Sequence, residues 1–179
     1  MSVIRNVAVV GGSGNFGSAI VDALKKAGFS VTAVSRPESS AKFPSDITIL
    51  KVNFDSVDEL TAAFEGQDAV VSVVGTPGLG GQHKLVDAAL AAGVKRFLPS
   101  EYGGQTDAPG VKGTGFGTMV GGKIATIDYV KDKAKSNPGF TWTGVAIGLA
   151  LDFVGVLFCK KNSEVLTNIT VLAVGNHTP

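Results

Sequence analysis

A chain of 179 residues, 44% of them hydrophobic, is long enough for one domain with a buried core. Its 16 Lys+Arg against 15 Asp+Glu leave a net charge of +1, so composition gives no electrostatic case for nucleic acid or an acidic partner. A single cysteine, Cys159, excludes a disulfide framework and fits a reducing compartment, so the expected location is the cytoplasm.

The opening MSVIRN is too short before the first apolar run to be a signal peptide. The run VAVV at 7–10 predicts a buried strand, and GGSGNFG at 11–17 predicts a tight turn followed at once by a helix. Gly11, Gly14 and Gly17 give G-x-x-G-x-x-G, while Gly12, Gly14 and Gly17 give G-x-G-x-x-G. Such glycines let the chain turn sharply, let backbone approach a pyrophosphate and let helix and strand pack closely. Phe16, Ala19, Ile20, Ala23, Leu24 and Ala27 continue with helical period, and a second strand is predicted at 31–34. Strand, glycine turn, helix and strand in this order form a dinucleotide-binding unit. Its phosphate contacts are expected from Gly11, Gly12, Ser13, Gly14, Asn15, Phe16 and Gly17, where a helix start offers unpaired N–H groups.

The alternation continues. Strands are predicted at 47–52, 69–74, 96–99 and 140–147, and helices at 57–64, 81–92 and 119–136. Gly28, Gly66 and Gly93 each close a helical run as C-terminal caps. Strands that are apolar throughout, such as AVVSVV, suit a parallel sheet covered on both faces. The predicted fold is therefore α/β, a doubly wound parallel sheet. Its ligand crevice lies at the carboxyl ends of the strands, which gathers the 11–17 turn, the 35–42 loop, Val74, Gly75 and Thr76, and Ser100, Glu101 and Tyr102. The second strand ends in Ser35-Arg36 where an NAD site would carry Asp or Glu. Arg36, helped by Lys42, suits a ribose 2′-phosphate, so NADP(H) is expected in preference to NAD(H). Asp55 is expected to cap the 57–64 helix. The apolar stretch 144–159, interrupted by Asp152, falls short of the ~20 residues a spanning helix needs, and no membrane or metal site is expected.

GGSGNFG at 11–17, SRPESSAKF at 35–43 and GQHKLVDAALAAGVKRFLPSEYG at 81–103 resemble the NmrA-like and isoflavone reductase-like group of atypical short-chain dehydrogenases. LPSEYG is the most specific of these pieces, and the resemblance runs to about residue 153. It implies a Rossmann NAD(P)-binding fold over 1–153 and NADPH-dependent hydride transfer to a small phenolic or similar organic substrate. Other members of the group hold the dinucleotide without turning it over and act as redox-sensing regulators with a protein partner. The reductases use a lysine on the helix after the PSE(F/Y)G loop as general acid/base, and its counterpart by spacing is Lys123.

The same helix carries Tyr129 and Lys133 as Y-x-x-x-K, the pair used by ordinary short-chain dehydrogenases. At ~100° per residue, Val120, Lys123, Ile127, Val130 and Ala134 share one stripe, and Tyr129 and Lys133 fall off it with Thr126 and Asp132. Lys123 is therefore the candidate withdrawn from water and tuned for proton exchange, and Tyr129 and Lys133 are expected on a solvated face. Ser100, Glu101 and Tyr102 either orient the nicotinamide or substrate, or form a loop held by its own hydrogen bonds. His83 is expected satisfied or solvated, and Trp142 in the core. Residues 103–122 hold eight glycines and read as a mobile segment beside the site, a candidate lid.

Members of the group are longer, continuing into a smaller domain that closes the substrate pocket. Here residues 154–179, VGVLFCKKNSEVLTNITVLAVGNHTP, depart from the pattern, with strand-like fragments at 154–158 and 169–174. Two readings stay open. The tail is a retained intron or frame-shifted end, or it belongs to a divergent, shortened member and adds an edge strand. In both, most of the substrate domain is absent, and nucleotide binding is expected ahead of catalysis. An inactive truncated fragment is the third possibility.

Overall fold

The computed structural model describes residues 3–106, 108–147 and 172–176. Six strands run parallel: β1 (Asn6–Val10), β2 (Ser30–Ser35), β3 (Thr48–Lys51), β4 (Ala69–Ser72), β5 (Arg96–Leu98) and β6 (Thr141–Ala146). A seventh, β7 (Leu172–Asn176), lies antiparallel on β6 with a bulge between Thr143 and Gly144. The order across the sheet is β3-β2-β1-β4-β5-β6-β7. The chain thus leaves β1 in one direction to build β2 and β3, then returns to its other side for β4. That reversal opens a crevice between the carboxyl ends of β1 and β4.

Helix α1 (Asn15–Lys26) joins β1 to β2, α2 (Val57–Phe64) joins β3 to β4, and α3 (Gln82–Ala91) joins β4 to β5. Two further helices, α4 (Gly115–Met119) and α5 (Gly121–Ser136), lie between β5 and β6. The period of two along β1 explains the layering. Val7 and Val9 face a cluster with Val21 of α1, whereas Ala8 and Val10 face Leu60, Phe64, Leu85, Val86, Ile127 and Val130 from the other helices. Both faces of the strand are buried, which is why VAVV needs no polar residue. Trp142 is core, as expected.

Gly28, Gly66 and Gly93 have φ of +87°, +73° and +73°, the left-handed conformation that a C-terminal cap requires. Around Gly28 the Phe29 N–H donates to the Leu24 carbonyl and the Gly28 N–H to that of Lys25, a double bond pattern repeated at Gly93 and Val94. Far from the crevice, Asp68 accepts from the backbone N–H groups of Arg5 and Asn6 (2.9 and 3.0 Å) and from Lys95 Nζ (2.8 Å). One carboxylate thereby gathers the amino ends of β1, β4 and β5.

Several expectations are corrected. The helix predicted at 119–136 breaks at Val120, which closes α4 and opens α5. The glycine-rich segment before it contains α4, capped by the Thr114 hydroxyl, which accepts from Gly117 N–H. Residues 76–81 form a 3-10 turn ahead of α3. Asp55 does not cap α2. The Ser56 hydroxyl does, accepting from Glu59 N–H, and Asp55 pairs instead with Lys84 at 2.5 Å. The predicted fragment at 154–158 lies outside the described residues, and β7 overlaps the one at 169–174. Among the described residues no helix is long and apolar enough to cross a membrane.

Candidate functional site

The glycine turn sits at the carboxyl end of β1, over the strand reversal. Gly11 has φ +83°, and a Cβ there would lie 2.7 Å from the Val73 carbonyl oxygen. Gly12 is buried against Val9, Val21 and Phe43. A Cβ on Gly17 would overlap the Gly11 carbonyl and stand 2.7 Å from Gly12 Cα. Gly14 differs, since a Cβ there meets only the Gly11 oxygen at 3.6 Å, an ordinary contact. Protein packing therefore explains Gly11 and Gly17, while nothing in the packing requires glycine at 14. Gly14 is the N-cap of α1, with no side-chain cap and no acidic residue in the first turn. These N–H groups and the positive end of the helix dipole suit a pyrophosphate, and the space a Cβ would take at Gly14 leaves the main chain open to it.

Around this turn lie the other candidates. Ser13 is exposed, and Phe16 is half-buried with its ring stacked on Tyr102 (centroids 6.4 Å apart, planes 15° apart). Arg36 leaves the end of β2 with its side chain 67% exposed and Nε 3.3 Å from Glu38, and Lys42 is also exposed. Both are free to reach a solvent-facing phosphate. Val74 is half-buried, and Gly75 and Thr76 are exposed where β4 passes into the 3-10 turn.

The LPSEYG loop proves largely occupied. Ser100, 5% exposed, donates its hydroxyl to the Val74 carbonyl at 2.8 Å. Its N–H donates to Gln82 Oε1 at 2.9 Å. Glu101, also 5% exposed, accepts from the Thr106 hydroxyl at 2.6 Å. Burial pushes the Tyr102 phenol above its ordinary value. Of the two roles open for this loop, Ser100 and the Glu101 carboxylate serve internal hydrogen bonds.

Lys123 lies in the first turn of α5, half-buried, and its ammonium donates to the Glu101 backbone carbonyl at 2.6 Å. Burial lowers its pKa, and the Glu101 charge partly offsets that. Tyr129 and Lys133 stand elsewhere, and their expected solvation is corrected. Tyr129 packs against α3 and donates to Asp87 at 2.7 Å, and Lys133 pairs with the same carboxylate at 3.0 Å. His83 lies against them, its ring 4.4 Å from that of Tyr129 and its Nε2 3.4 Å from the Ala125 carbonyl oxygen. The Y-x-x-x-K string thus fastens α5 to α3. Thr126, placed with the solvated face by periodicity, is fully buried, because its hydroxyl donates to the Gly122 carbonyl at 2.8 Å.

A family model described as NAD(P)H-binding matches residues 11–153, from the first glycine of the turn to beyond β6. The chain belongs to that NAD(P)H-binding family. Its relatives include isoflavone reductase-like proteins, to which it is similar, in line with the motifs. It is 39% identical over 142 residues to oxidoreductase poxI of Penicillium oxalicum, covering 79% of this chain and 44% of poxI. It is 36% identical over 116 residues to isoflavone reductase homolog IRL of Zea mays, covering 59% of this chain and 38% of IRL. A solved structure of AtPrR2 with NADP+ and (+)pinoresinol superposes with a TM-score of 0.67 and 27% identity, over 80% of this chain and 50% of that one. The chain spans about half the length of these relatives or less.

Gln82 escaped the sequence reading. It is a polar residue at the start of α3, and Leu85 and Val86, three and four positions on, are both buried. A glutamine sharing a helical face with two core residues was the signal available.

Proposed function

We propose that this chain is the nucleotide-holding part of an NADPH-dependent reductase of a small phenolic or similar organic substrate, with Lys123 as its proton-carrying group. The observation that carries this reading is the placement of the Lys123 ammonium. It is withdrawn from water and fixed 2.6 Å from the Glu101 carbonyl on the loop that follows β5. Bound NADPH supplies hydride chemistry. The chain's own groups do the rest. The 11–17 turn holds the pyrophosphate on main-chain N–H groups. Arg36 and Lys42 meet a 2′-phosphate, which favours NADP(H) over NAD(H). Val74, Gly75 and Thr76 and the loop of Ser100, Glu101 and Tyr102 border the nicotinamide end. Lys123, its pKa lowered by burial, gives up or accepts a proton near neutral pH more readily than an exposed lysine does. AtPrR2 was solved with both NADP+ and (+)pinoresinol, which supports an aromatic substrate class for this chain too. The nucleotide-binding domain is taken as residues 1–153, and a cytoplasmic location accords with the single cysteine.

The test has two parts. NADPH held at 100 times its dissociation constant adds ~2.7 kcal/mol of stability, read as a rise in Tm. NADPH oxidation is then followed with phenolic and quinone-like acceptors. Lys123→Met is expected to abolish turnover and spare binding. Loss of binding in that variant would overturn the role given to Lys123. Binding without turnover by the parent would favour a redox sensor that docks a regulatory protein. No rise in Tm with either nucleotide would mark an inactive fragment.

A further inference from the structure

We propose that Gln82 is a positioning residue for Lys123, setting the gap between the loop after β5 and the first turn of α5; this rests on reading Lys123 as the proton-carrying group. Gln82 is wholly buried, and its amide spans two elements. Its Oε1 accepts from Ser100 N–H at 2.9 Å, and its Nε2 donates to Thr126 Oγ1 at 3.4 Å. Ser100 precedes Glu101, whose carbonyl receives the lysine ammonium. Thr126 follows Lys123 by three positions, one turn along α5, and its own hydroxyl donates to Gly122 beside the lysine. Both ends of the Lys123–Glu101 contact therefore neighbour a group that Gln82 grips.

A buried amide satisfied at both ends is costly to disturb, because each lost partner leaves a desolvated polar group behind. A one-residue bracket of this kind holds its two partners at a fixed separation. Lys123, by contrast, has a long flexible stem with many accessible rotamers. The bracket, and not the lysine, sets where the ammonium stands. The charged group facing Lys123 across the gap is Glu101. Tyr129, Lys133 and Asp87 pair with one another elsewhere along the α3–α5 contact.

The experiment measures the pH profile of Lys123 acylation by acetic anhydride, read by peptide mass spectrometry on the whole chain, with exposed Lys26 as the internal reference. The variants are Gln82→Met, which keeps volume and removes both bonds, and Thr126→Val, which keeps the Ser100 bond and cuts the link to α5 together with the Thr126–Gly122 bond. In both the gap loosens and water reaches the ammonium. The Lys123 midpoint is expected to rise toward the ordinary lysine value, by at least about half a pH unit in Gln82→Met, with the labelling of Lys26 serving only to normalise the reagent. A smaller rise is expected in Thr126→Val, and that variant carries the test if Gln82→Met does not fold. A folded variant of either kind with an unshifted Lys123 profile would overturn the proposal, since a merely structural glutamine would lower Tm alone. The labelling needs neither nucleotide nor turnover. A failure of the reductase reading would instead appear as unaltered NADPH oxidation in Lys123→Met.

Discussion

A side chain on Gly17 would collide with the carbonyl oxygen of Gly11, where α1 crosses back over the turn. Gly14, three residues earlier, has room for a methyl group. The two glycines therefore fail differently. Gly17→Ala forces backbone apart and is expected to cost about 3 kcal/mol, lowering Tm by roughly 6–12 °C with or without nucleotide. Gly14→Ala is expected to leave the melting of the free protein within about 2 °C of the parent and to weaken NADPH about tenfold, or ~1.4 kcal/mol. Thermal melting and nucleotide titration of both variants check this pair.

Among the described residues Arg36 pairs with Glu38, and the exposed pair leaves it able to turn toward a phosphate. Arg36→Ala is expected to weaken NADPH by roughly 10- to 100-fold, the range of a charge-assisted hydrogen bond, and to leave NADH affinity unchanged. Parallel titrations with the two nucleotides measure the ratio, and an equal loss for both would place Arg36 outside the 2′-phosphate site.

Burial disfavours the charged form of Lys123 in the folded chain but not in the unfolded one. Between its lowered folded pKa and the ordinary lysine value of about 10.4, the unfolded state holds more protons. The lysine's contribution to stability thus rises with pH across that window and is least favourable below it. Lys123→Met is accordingly expected to melt at or above the parent at pH 7, and the difference is expected to shrink as pH climbs toward 10. Melting curves of the two proteins between pH 7 and 10 decide it.

Asp68 has the opposite sign. The N–H of Asn6, the Lys95 ammonium and the N–H of Arg5 hold its carboxyl well below the usual carboxylate range. Its stabilising effect is complete above the unfolded value of about 3.9 and disappears as pH falls through the lower folded value. Asp68→Asn is expected to lower Tm by roughly 2–4 °C at pH 7, from about 1 kcal/mol of weakened hydrogen bonding. The gap between variant and parent is expected to close below pH 4.

The alternation of strands and helices was legible because β1 carries the unbroken apolar run VAVV, the other strands are mostly apolar or β-branched, and each capping glycine falls where a helical run stops. The turn at 11–17 was legible for the same local reason. The relations that stayed hidden are long-range. Nothing near Tyr129 in sequence announces Asp87, 42 residues away, yet that carboxylate turns an apparently solvated face into a helix contact. Thr126 looks polar on a helical wheel until its hydroxyl is paired with a carbonyl in its own helix. Gln82 gains its meaning only when Ser100 and Thr126 are brought to it by the packing of three elements. The loop after β5 was placed at the site by its sequence, but its hydrogen bonds depend on Val74 and Gln82, which only the folded sheet supplies.

The Asp68 knot sits at the pole of the sheet opposite the glycine turn. A share of the fold's durability is thereby lodged at the end of the sheet away from the glycine turn. Repairs or losses at the knot change how long the fold survives heat or acid without altering what the far end recognises. An engineer seeking a hardier variant has a place to work that leaves the glycine turn untouched.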